Sequence, residues 1–156
     1  MPEKEKNQES PFDNLEKGIY EFIKLRKNPL LILYWSDNDG EIINFDVGLL
    51  EKILKDYCEK MNINKIEELD VIISTIGGQV NASYLLAQMM RGYSKKVNMF
   101  VPKHAYSGGT MISLCADKIY MGLSSRLSPI DIKVGKKMAL IDIEKYVEFI
   151  SHSCDI

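Results

Sequence analysis

The sequence predicts an α/β domain on a mostly parallel sheet with right-handed βαβ crossovers. Three observations lead there. Apolar runs alternate with amphipathic stretches of helical period, in the order α-β-α-β-α-β-α-β. The first apolar run, Leu30 to Trp35, is continuous rather than alternating, as in a strand covered on both faces. The intervening stretches are long enough for helical crossovers, and such crossovers are almost always right-handed.

Taken in order, residues 1–12 are polar with two prolines and read as a flexible tail; 13–156 read as one domain. Asp13 precedes Glu16 with capping-box spacing. Leu15, Ile19, Phe22 and Ile23 then fall on one helical face, and this helix ends before Pro29. Leu30 to Trp35 is a buried strand, followed by a polar turn at Ser36 to Gly40. Asp46 caps the next helix, whose stripe is Leu49, Leu50, Ile53, Leu54, Tyr57, Cys58 and Met61. Asp70 leads into a short strand, Val71 to Thr75, broken by Gly77 and Gly78. Residues 80–93 read as a helix and Val97 to Val101 as the third strand, stopped by Pro102. Ser107 to Ala116 is a short buried helix, Lys118 to Met121 a fourth strand, Pro129 part of a turn, and 142–153 a last helix.

Composition narrows the function. With 46% hydrophobic and 27% charged residues the chain has the balance of a globular protein with a real core. A formal net charge of −2 and scattered lysines give no footprint for nucleic acid or a polybasic membrane face. The charged N-terminus has no signal-peptide core, and the longest apolar run is too short for an integral membrane segment, so the cytoplasm is expected. Cys58, Cys115 and Cys154 have no zinc or redox spacing and read as free thiols. No cofactor is expected. There is no phosphate-binding or dinucleotide glycine motif, and no His, Cys and carboxylate cluster at ligand spacing.

Two strand-to-helix junctions carry the chemistry: Ser74-Thr75-Ile76-Gly77-Gly78-Gln79 and Ala105-Tyr106-Ser107-Gly108-Gly109-Thr110. Taken singly, a glycine pair after a strand is a turn and a serine before glycine a helix cap. In a parallel sheet, however, both lie at the carboxyl edge, where ligands bind. One crossover separates them, so neighbouring strands bring them together. Ser107 at a helix start is then a candidate nucleophile. The Gly108 amide is one candidate oxyanion donor, and that of Gly77 or Gly78 the other. The segment is not the G-x-S-x-G elbow, since Ala105 holds the first glycine position. The base stays open among Asp131, His104, His152 and a lysine of Lys133, Lys136 or Lys137.

Asp70 to Gly78, Val97 to Pro102, Ala105 to Thr110, Ala116 to Tyr120 and Leu127 to Asp131, in that order, resemble the serine dehydrogenase proteinase family. That family shares a fold superfamily with the Clp protease proteolytic subunit, signal peptide peptidase A and crotonase. The resemblance covers residues 28–133. It implies a ClpP/crotonase-like fold and serine peptidase chemistry on a peptide or protein substrate. Its nucleophile falls on Ser107, its oxyanion glycines on Gly77 and Gly78, and the following amide on Gly108. Ile76 departs from the usual proline, which implies a looser loop. Family members run on past the equivalent of Ile156, so the resemblance implies a chain cut short there, in the region where related peptidases place a lysine base. Asp131 falls near the Clp subunit's histidine, so a Ser-His-Asp triad does not carry over. Relatives commonly oligomerise, which implies a homo-oligomer; broad apolar stripes on the helices and Ile141, Ile143, Val147, Phe149 and Ile150 permit one. Two alternatives remain at this point: a catalytically inactive ClpP-like assembly or peptide-binding module, and crotonase-type acyl-CoA chemistry.

Overall fold

The computed structural model describes residues 11–35 and 40–130. The expected tail, the polar turn after Trp35, and everything from Asp131 onward lie largely or wholly outside those residues. The elements are α1 (Pro11–Arg26), β1 (Leu30–Tyr34), α2 (Asn44–Met61), β2 (Ile66–Ser74), α3 (Val80–Tyr93), β3 (Ser94–Val101), β4 (His104–Ala105), α4 (Gly108–Ser113), β5 (Lys118–Met121) and β6 (Arg126–Leu127). Strands β1, β2, β3 and β5 form one sheet in that order, every pair parallel. The α/β architecture on a parallel sheet is thus as the sequence predicts.

One face of the sheet carries the core. Leu69, Val71 and Ile73 of β2 and Val97, Met99 and Val101 of β3 are buried in one cluster with Leu50 and Leu54 of α2 and with Leu86 and Met90 of α3. Burying an aliphatic side chain fully is worth about 1.5–3 kcal/mol. On the other face, the Phe22 ring of α1 meets Phe100 edge-on at 4.9 Å, and Phe100 stacks on Tyr120 at 4.6 Å.

The boundaries show which local rules prevailed. Helix α1 begins at Pro11, so Asp13 is a first-turn residue and not the cap expected of it. Proline suits a first turn because it has no N–H to leave unpaired and its φ is already helical. Helix α2 begins two residues before Asp46, which is therefore not its cap either. The Asp46 carboxylate instead reaches back to accept the Ile43 amide at 2.8 Å and the Trp35 indole N–H at 3.1 Å. At its other end Asn62 takes φ 52°, and the Asn62 and Ile63 amides bond back to Glu59 O and Cys58 O.

Strand β2 starts at Ile66, earlier than expected, which puts Asp70 inside the sheet with no exposed surface. Its carboxylate accepts from Arg26 Nε at 2.8 Å, Arg26 Nη2 at 3.0 Å, Asn98 Nδ2 at 2.7 Å and Asn28 Nδ2 at 3.2 Å. Burial alone raises a carboxyl pKa. Here the hydrogen bonds from Arg26, Asn98 and Asn28 win, and Asp70 is held below the usual carboxylate range. Cys58 and Cys115 are buried free thiols, and burial pushes Cys115 up to about 12; Cys154 lies outside the described residues.

Candidate active site

Strands β2 and β3 are neighbours and run parallel, so the chain leaves both at the same edge. After β2 it passes through Thr75 and Ile76 to the glycine pair and enters α3. After β3 it turns at Pro102 and Lys103, makes the two-residue strand β4, and enters α4 through Tyr106 and Ser107. A bridge between Thr75 and Ala105 ties the two exits: Thr75 N donates to His104 O at 3.2 Å, and Tyr106 N to Thr75 O at 3.0 Å.

This juxtaposition is tight. A Cβ added to Gly77 would lie 2.8 Å from Ser107 Cβ, 2.9 Å from Tyr106 O and 3.2 Å from Gly108 N. Gly77 has φ 108°, so both its conformation and its surroundings exclude a side chain. Gly78, at φ 158°, lies against the main chain of Ile42, which accepts from Gln79 N at 2.8 Å and donates to Gly77 O at 2.9 Å. A Cβ on Gly108 would overlap Ser83 Oγ and come within 3.4 Å of Gly78 N. The fold therefore brings Gly77, Gly78, Ser107 and Gly108 together.

Within this group the amides differ. Gly77 N donates to Thr75 Oγ1 at 3.0 Å. Among the described residues, no hydrogen bond from Gly78 N or Gly108 N to a protein acceptor is found. Ser107 sits at the cap position of α4 with φ 48° and ψ −112°, and its side chain makes no capping bond. A non-glycine residue at such angles is held there by its surroundings at a cost of about 1–3 kcal/mol. Helix α4 spans only Gly108–Ser113 and is shorter than expected, so little helix dipole acts on Ser107.

Three contributors went unnoticed in the sequence. Thr75, fully buried, occupies the Gly77 amide. Thr110 Oγ1 lies 2.8 Å from Ala105 O and 3.0 Å from Ser128 O as donor, and accepts from Ser128 N at 3.2 Å. Ser128 Oγ accepts the Ser107 amide at 2.7 Å. Hydroxyls in β-rich and turn segments leave no periodic signal, and only the serine before Pro129 hinted at an ordered turn. His104 is buried in β4 with its ring stacked on Tyr106 at 4.7 Å. Asp131, His152 and the three lysines at 133, 136 and 137 lie outside the described residues. Among the described residues no group of His, Cys, Asp and Glu is arranged to hold a metal, and no helix is long and apolar enough to cross a membrane.

Residues 46–150 match the family described as ClpP-like SDH-type serine proteinase. The chain belongs to that family. The stretch matched runs from α2 through both junctions. Two uncharacterized proteins of Methanocaldococcus jannaschii are similar in sequence. MJ0137 is 39% identical over 72 residues, which are 46% of this chain and 25% of that protein. MJ1495 is 35% identical over 78 residues, 50% of this chain and 27% of that protein. The matched stretch thus spans about a quarter of each curated relative. Among solved structures, a serine-to-alanine mutant of the 1510-N membrane-bound stomatin-specific protease superposes with TM-score 0.58 at 17% identity, covering 81% of this chain and 62% of that one. ClpP1 from Listeria monocytogenes superposes with TM-score 0.53 at 19% identity, covering 83% and 68%. At such identities the ClpP-like family's fold is what these structures share with the chain.

Proposed function

We propose that the chain is a serine peptidase that cleaves peptide bonds through Ser107, with the amides of Gly78 and Gly108 as oxyanion donors. One observation carries this reading: a serine in a positive-φ turn, its hydroxyl unused as a cap, packs against a glycine pair from the neighbouring strand. Gly78 is preferred over Gly77 because the Gly77 amide is already engaged by Thr75. In the reaction, Ser107 Oγ attacks the carbonyl carbon and its proton passes to the base. The carbonyl oxygen becomes the oxyanion between the two amides, the amine leaves carrying a proton, and water hydrolyses the acyl-serine. A solved relative of this fold, the 1510-N protease in a lysine-to-alanine form, is described in complex with a substrate peptide. This supports a peptide as substrate here.

The base belongs to the stretch that follows Ser128, with Asp131 and Lys133, Lys136 and Lys137 as candidates. His104 is less suited, since its ring is buried against Tyr106. The reading includes a homo-oligomer in the cytoplasm. Phe45, Leu49 and Ile53 support self-association, as one helical row of α2 that remains 45–74% exposed.

Reaction with a fluorophosphonate followed by peptide mapping tests the nucleophile. Ser107 is expected to be modified, and Ser107→Ala to abolish modification while leaving the circular dichroism spectrum unchanged. Modification that persists at another serine in that variant removes Ser107 from the mechanism.

A further inference from the structure

We propose that Ser128 is a positioning residue for Ser107, its hydroxyl receiving the Ser107 amide and holding the nucleophile's main chain in its positive-φ turn. The inference rests on the reading of Ser107 as nucleophile.

A strained turn persists only where surrounding bonds over-determine it. Two of the bonds at this turn are local. Gly109 N donates to Tyr106 O at 2.7 Å, and Met111 N donates to Ser107 O at 3.1 Å. Both run along the entry to α4 and leave the Ser107 amide itself unpaired. The bond from Ser107 N to Ser128 Oγ, at 2.7 Å, comes from 21 residues away. Without it a part-buried N–H loses its acceptor, which is costly in its own right.

The acceptor is itself oriented. Ser128 Oγ donates its proton to Pro129 O at 2.9 Å, so a lone pair is left for the Ser107 amide. Pro129 restrains the backbone of Ser128 to extended conformations. The Ser128 main chain is gripped on both sides by one hydroxyl, with Ser128 N donating to Thr110 Oγ1 and Ser128 O within 3.0 Å of it. Thr110 stands on α4, the helix that Ser107 begins. Ser107, α4, Thr110 and Ser128 therefore close a ring, anchored to the small β4–β6 sheet by the pairing of Ala105 with Leu127. A hydroxyl at 128 is the part of this ring that the nucleophile needs. Threonine retains it; the near-isosteric valine does not.

The test compares full-length wild type, Ser128→Thr, Ser128→Val and Ser128→Ala. Three quantities are read: the rate of fluorophosphonate modification at Ser107, the thermal midpoint, and hydrogen exchange of the Ser107 amide by NMR. The expected result is at least a tenfold slower reaction and tenfold faster amide exchange in Ser128→Val and Ser128→Ala. A tenfold change is the rough worth of a well-formed hydrogen bond; Ser128→Thr, which keeps the hydroxyl, should stay within about threefold of wild type. A purely structural role would lower the midpoint without separating threonine from valine in rate at temperatures where both are folded. Equal rates in the threonine and valine variants overturn the proposal and leave the nucleophile reading standing. If wild-type Ser107 does not react, the nucleophile reading fails; exchange then decides the hydrogen bond alone. A Ser107 amide unprotected in the wild type overturns the proposal even if no variant folds.

Discussion

Replacing Gly77 by alanine tests how closely the glycine pair approaches Ser107. The added Cβ would meet Ser107 Cβ at 2.8 Å and Tyr106 O at 2.9 Å, some tenths of an ångström inside ordinary contact. Neither neighbour is the end of a flexible chain, so the turn carrying Ser107 has to move. The φ of 108° adds strain of about 1–3 kcal/mol for a residue with a Cβ. Overpacking adds a further ~1–3 kcal/mol. The expected loss is thus on the order of 2–6 kcal/mol, partly relieved by displacement of Ser107. Displacement appears in the chemistry, since an ångström of misplacement can cost about a hundredfold in rate. We expect Ser107→fluorophosphonate adduct formation to slow by about tenfold or more where the variant remains folded. Gly48→Ala is the control: nothing lies within 4 Å of a Cβ there, inside α2, and it should stabilise by about 0.5–1 kcal/mol. Urea unfolding measures both. A Gly77→Ala stability within 0.5 kcal/mol of wild type, by the ordinary scatter of surface substitutions, would refute the close approach.

The remaining expectations concern the scaffold. Asp70 has its pKa lowered in the fold, so its contribution is present above the unfolded carboxyl value of about 3.9 and is lost as pH falls through the lower folded value. Urea midpoints should therefore fall below about pH 4 in the wild type, and Asp70→Asn should flatten that fall while losing about 3 kcal/mol at pH 7. A variant as stable as wild type at neutral pH would contradict this. Cys115, buried and pushed up to about 12, should resist iodoacetamide at pH 8 in the folded protein and react once urea unfolds it. Light scattering should give a mass above the 17.8 kDa of one chain, and a monomer across a wide concentration range would remove the self-association reading.

Much of the fold was legible because β2 and β3 are largely buried. The expectation of a buried first strand was wrong: β1 is at the sheet edge, with Leu31 buried but Ile32 and Tyr34 46% and 69% exposed. Leu30 to Tyr34 and Val71 to Ile73 read as uninterrupted apolar runs, Val97 to Val101 as one broken only by Asn98, and the helices between them as 3.6-residue stripes. The start of β2 was not legible, because Glu67, Glu68 and Asp70 look like a loop until Lys95 is seen to meet the first and Arg26, Asn28 and Asn98 the other two. Strands β4 and β6 have two residues each, too short to carry a period. At the site, the glycine pair and the serine were visible as departures from pattern. Which glycine amide remains available was not, since it depends on where the Thr75 hydroxyl points. Ser128 was hidden for the same reason, its role being set by contact across 21 residues.

The buried carboxylate of Asp70 also bears on how the two junctions stay level with one another. Asp70 stands opposite Asn98 in the β2–β3 ladder, four residues before the end of β2, and the two side chains bond across it. If β2 slid by one residue against β3, every side chain would change face. Asp70 would then lie among the apolar partners of Leu69 and Val71, with its arginine and both asparagines on the far side of the sheet. A slide of two residues would restore the faces but carry Gly77 and Gly78 about 6.6 Å along the strand from Ser107. It would also separate Asp70 from Asn98. The polar contact on one side of the sheet thus acts as a vernier, setting the height at which glycine and serine meet at its edge.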